Sequence, residues 1–90
     1  MSQLSYWHVR WVVPAALVQA ALELGGGDVE RGLRLIAERG ETWMRGLALE
    51  LQANKRELSR ILEDLEDGLR PDPEIVRKII STVLNNEKNN

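Results

Sequence analysis

Ninety residues, 43% hydrophobic and 29% charged, give enough chain for one globular domain with a modest core. The absence of cysteine excludes a disulfide framework, a thiolate metal site and a cysteine nucleophile, and suits a reducing interior. A formal net charge of −2 excludes a polybasic coat on nucleic acid but leaves room for a local basic face.

Residues 4–13, LSYWHVRWVV, carry two patterns at once. Trp7, Val9, Trp11 and Val13 alternate as in a strand, whereas Leu4, Trp7, Trp11 and Val12 would line one side of a helix. The apolar run 11–18 is too short for a bilayer and is interrupted by Pro14. Arg10 is the first cation, so no basic start of a secretion signal precedes the run, and the expected location is the cytoplasm. Pro14 suits the first turn of a helix, PAALVQAALEL, that stops at the triple glycine 25–27. Asp28 then caps DVERGLRLIAER, with Val29, Leu33 and Ile36 inward and Arg31, Arg34 and Glu38 toward water. Gly40 closes that helix, and Glu41 or Thr42 opens the next.

Within 44–63, MRGLALELQANKRELSRILE, a short helix must stop near Gln52-Ala53 and another must begin at once. Asn54 and Glu57 stand three apart, the spacing of a capping box. Asn54 accepts from the Glu57 N–H, and the Glu57 side chain is expected to reach back to the N–H of Asn54. At about 100° per residue, Leu58, Ile61, Leu62 and Leu65 share one face of the second helix. Arg56, Ser59 and Arg60 occupy the opposite face, with Lys55 at its flank. Cations, a hydroxyl and an amide at the start of a helix suit the major groove, where Arg and Lys pair phosphates or guanine edges.

The stretch ALELQANKRELSRIL resembles the helix-turn-helix of bacterial and archaeal transcription regulators and phage repressors, over about twenty residues of the chain. The resemblance implies that Ala48 lets the two helices cross closely while Leu47, Leu51, Leu58 and Ile61 seal them together. It implies that Asn54, Lys55, Arg56, Ser59 and Arg60 face DNA, with Thr42 and Arg45 near backbone phosphate. It also implies a left-handed backbone at Gln52, where such proteins usually carry glycine. The later stretch LEDLEDGL resembles the end of a winged-helix recognition helix, but no hairpin pattern follows it. Gly68 ends the helix. Asp72 and Pro73 then open an amphipathic one with Ile75, Val76, Ile79, Ile80 and Val83 on its stripe, as in the closing helix of repressor-type domains. Asn85 to Asn90 reads as a polar tail. GGGDVERGLRLI resembles the Gly-Gly-Asn start of another helix-turn-helix, but that alignment would bury Arg31 and Arg34 and is set aside.

No other motif carries chemistry. His8 is alone, and the acidic run Glu63, Asp64, Glu66, Asp67 lacks the spacing of a calcium loop. The triple glycine precedes no Gly-Lys-Ser/Thr, and no nucleophile has a base at a recognisable spacing, so neither catalysis nor a cofactor is expected. Tyr6, Trp7 and Trp11, joined by Trp43, form either a lid on the core or a dimer anchor. The last helix offers a second surface for self-association. The expectation is an all-α domain of about five helices, with a possible extended N-terminal segment, that binds specific duplex DNA sites as a homodimer. Its role would be that of a small transcriptional regulator or a phage, viral or plasmid accessory protein. The rival is a helical protein-interaction or self-assembly module. Whether Arg56 and Arg60 are free, or locked to Glu63 and Asp67, separates the two.

Overall fold

A computed structural model describes residues 8–88. A π-helical turn, His8–Val12, runs without a break into α1, Val13–Leu24. Four more helices follow: α2 Val29–Arg39, α3 Thr42–Ala53, α4 Lys55–Glu66 and α5 Pro73–Lys88. The described residues contain no strand, and the fold is all-α. The helical reading therefore holds over 8–13. Leu4, Tyr6 and Trp7 lie outside the described residues.

The helix ends follow local chemistry. α1 closes through Gly25, and Gly26 and Gly27 take φ of 62° and 100°, open to glycine at no steric cost. Their N–H groups donate to the carbonyls of Glu23 (3.3 Å) and Leu22 (2.8 Å), the paired bonds of a Schellman motif. Asp28 accepts from the Arg31 N–H at 3.2 Å and starts α2. Gly40 caps the end of α2. Asp72 accepts from the Glu74 N–H at 2.9 Å and starts α5. The last helix continues through Lys88, so residues 85–88 of the expected polar tail are helical. Their end is tied down, because the Asn86 amide donates to the Arg39 carbonyl at the close of α2.

α1 is buried on almost every side, through Pro14, Ala15, Ala16, Leu17, Val18, Ala20 and Ala21, and the other helices pack around it. Its alanines bring neighbours close. Gly32 of α2 sits so near α1 that a Cβ there would lie 1.8 Å from the Ala21 carbonyl oxygen. The segment 10–24 and α2 are bent 106° apart, so the two helices form an elbow around this contact. Leu33 and Ile36 of α2, Met44, Ala48 and Leu51 of α3, Leu58, Ile61 and Leu65 of α4, and Val76, Ile79 and Val83 of α5 complete the core. No polar or charged side chain is buried among the described residues. None of the described helices is by itself long and apolar enough to cross a membrane.

Trp11 and Trp43 part company. Trp11 is 8% exposed, and its indole N–H donates to Asp64 of α4 at 2.8 Å. Trp43 is 41% exposed and donates to Glu41 at 3.0 Å. It does not join Trp11 over the core, because Met44, Ala48 and Leu51 take the inward face of α3.

Leu58 of α4, 3% exposed, is the direct test of the face assignment. Leu58→Ala is expected to cost roughly 2–5 kcal/mol in chemical denaturation, since it leaves a cavity that the surrounding helices fill only in part. A near-neutral result would mean that α4 does not pack as described.

Candidate nucleic-acid interface

The joint between α3 and α4 is one residue long. Asn54, with φ −115° and ψ 82°, ends the first helix and begins the second. Its N–H donates to the Glu50 carbonyl at 2.9 Å, and its carbonyl accepts from the Leu58 N–H at 3.1 Å. Its side chain accepts from the Glu57 N–H at 3.2 Å. The expected cap is therefore present, but only half of the capping box forms. With the Asn54 N–H committed to Glu50, the Glu57 carboxylate turns instead to Arg60, 2.8 Å away.

The expected left-handed backbone at Gln52 is absent. Gln52 lies inside α3, and among the described residues only glycines have positive φ. The reason is the tightness of the joint: Asn54 alone turns the chain, so no left-handed residue is needed. A helix-turn-helix generally uses a turn of three to four residues, and this joint is shorter. Ala48 is fully buried in the same core as Leu51, Leu58 and Ile61, while Leu47 is half-buried.

All seven candidate contact residues are exposed: Thr42, Arg45, Asn54, Lys55, Arg56, Ser59 and Arg60. The structure gathers five of them, Asn54 to Arg60, on the first half of α4. Thr42 and Arg45 sit in the first turn of α3, most of a helix length from the joint, roughly 13–18 Å at 1.5 Å per residue. Arg56 is exposed and makes no ion pair among the described residues. Arg60 pairs with Glu57 and not with Glu63 or Asp67, and the hydrogen bond and charge of Glu57 raise its pKa further. Lys55 pairs with Glu30, at the start of α2, at 2.6 Å. Ser59 borders an open groove with Gly27 and Val29, which places it on the side of α4 facing α2.

Two features of this region escape a sequence reading. The Lys55–Glu30 pair joins residues 25 apart along the chain and brings the starts of α2 and α4 to one surface. The exposed Leu49 of α3 likewise departs from the helix's apolar pattern, and nothing in the structure explains it. Among the described residues no group of His, Cys, Asp or Glu is arranged to hold a metal. No protein-family model, curated protein sequence or solved structure matches this chain.

Proposed function

We propose that this domain binds specific sites on double-stranded DNA, with the first half of α4 as the reading element. The observation that carries the reading is the state of the α4 cations. Arg56 is exposed without an ion pair among the described residues, and Arg60 and Lys55, whose own side chains are 58% and 62% accessible, pair at the surface with the half-buried carboxylates Glu57 and Glu30. Exposed pairs of this kind contribute about 0–1 kcal/mol, so phosphate or a base edge can replace the carboxylate at little cost. The acidic residues Glu63 and Asp67 follow at the other end of α4 and leave the first half to the ligand. In this reading Asn54 caps the helix and stands beside the DNA, and Ser59 contributes a hydroxyl. Thr42 and Arg45 contact backbone phosphate. A two-fold pair of such domains in the cytoplasm would double the contacts and read a symmetric site, as expected of a small transcriptional regulator or an accessory protein of a phage, virus or plasmid.

Arg56→Ala and Arg60→Ala are the test. Each is expected to leave the far-UV circular dichroism and thermal midpoint close to wild type, because neither side chain is buried. Each is expected to weaken binding to the selected duplex by on the order of 1–3 kcal/mol where it reads a base. Unchanged affinity in both variants rejects α4 as the reading helix.

A further inference from the structure

We infer that the DNA-binding face extends beyond α4 onto α2, with Arg31 and Arg34 as backbone-phosphate contacts. The inference rests on the DNA-binding reading above and adds a second helix to it. The Lys55–Glu30 pair shows that the first turns of α2 and α4 open onto one surface: the Lys55 Nζ lies 2.6 Å from a Glu30 carboxylate oxygen, although the two helices belong to different parts of the chain. Arg34 lies one turn beyond Glu30 on the same side of α2, and Arg31 is its neighbour three residues back. Both arginines are exposed and enter no ion pair among the described residues.

Together Arg31, Arg34, Lys55, Arg56 and Arg60 form one basic face across two helices. Three carboxylates among them are already engaged, while the exposed Glu38 and Glu63 lie one turn beyond Arg34 and Arg60 and bound the face. Asp28 accepts from the Arg31 N–H, Glu30 holds Lys55, and Glu57 holds Arg60. Such a face fits a polyanion with charges repeated along a line, and a duplex backbone presents one phosphate about every 1.7 Å of its axis. The elbow between α1 and α2 serves the same end. With Gly32 pressed on Ala21 and a bend of 106°, α2 is held rigidly at its angle to α1, with its arginines on the outer side.

The test is fluorescence anisotropy on a mixed-sequence duplex, titrated between about 50 and 200 mM salt, comparing wild type, Arg31→Ala/Arg34→Ala, and Lys78→Ala. Lys78 is an exposed cation of α5 outside this face and controls for net charge. The double variant is expected to stay folded by circular dichroism and lose about tenfold or more in affinity at low salt. Its log–log salt slope should become shallower by about two, while Lys78→Ala binds like wild type. Wild-type affinity and slope in the double variant, with wild type itself binding, overturn the extension onto α2 and leave the α4 reading standing. A loss in Lys78→Ala about half as large on a logarithmic scale, the same per charge removed as in the double variant, also overturns it, since total charge would then explain the effect. No binding by wild type at low salt overturns both readings.

Discussion

Gly32→Ala is expected to destabilise the domain by about 3 kcal/mol or more, at or beyond the upper end of ordinary overpacking. The added Cβ would meet the Ala21 carbonyl oxygen at 1.8 Å and the Ala21 carbonyl carbon at 2.4 Å. Both atoms belong to the backbone of α1, so no rotamer change relieves the clash, and the two helices must separate. Separation opens the core along Leu17, Val18, Leu33 and Ile36, all fully buried. Gly46→Ala is the matching control. A Cβ at Gly46 meets nothing within 4 Å, and alanine in a helix interior is favoured over glycine by about 0.5–1 kcal/mol. Urea titrations of the two variants should therefore move the midpoint in opposite directions. A small effect at Gly32 would mean that α1 and α2 do not touch backbone to backbone.

Trp11→Ala is expected to cost about 3–5 kcal/mol, the usual range for truncating a large buried aromatic. The π-helical turn that carries Trp11 is held to α4 partly by the bond from its indole to Asp64. Removing the ring takes away both that bond and the apolar cover over the entrance to α1. Trp11→Phe separates the two contributions. It keeps most of the apolar area and loses the hydrogen bond, and it should cost about 1 kcal/mol, because half-buried Asp64 can still meet water. Equal losses in both variants would place the whole effect in the hydrogen bond. Unfolding followed by far-UV circular dichroism decides between them.

The helix boundaries were legible in the sequence because capping is local. Gly25, Asp28, Gly40, Asn54 and Asp72 each satisfy backbone groups within a few residues of themselves, so their roles can be read without knowing the fold. The inward faces of α2, α4 and α5 were legible for a similar reason, since one helical period sorts their apolar residues. Contacts between distant segments were not. Nothing near Trp11 in the chain indicates Asp64, 53 residues away, and nothing near Lys55 indicates Glu30. Gly32 reads along the chain only as a poor helix former, and its value appears once α1 is beside it.

At the candidate interface the exposure of the α4 cations followed from periodicity, but their partners did not. Arg60 has carboxylates within reach on both sides along the helix. Glu57 wins because the Asn54 N–H, the donor its carboxylate was expected to accept from at the cap, already donates to the Glu50 carbonyl. Trp43 was grouped with Trp11 by residue type. Its position in the first turn of α3, beside inward-facing Met44, leaves it on the solvent side.

The elbow between α1 and α2 also bears on how fast the chain reaches this shape. The most extensive helix pairs, α2 with α3 and α1 with α2, join consecutive segments, so closing them spends little loop entropy. Domains dominated by such local contacts fold on microsecond-to-millisecond timescales. The helix α5 returns to α1 from the far end of the chain and pays a larger closure cost, which places its docking after the elbow. A residue at the elbow is then expected to act in the folding nucleus. Damage at Gly32 should appear chiefly as a slower refolding limb of the chevron, whereas damage in α5 should appear as faster unfolding.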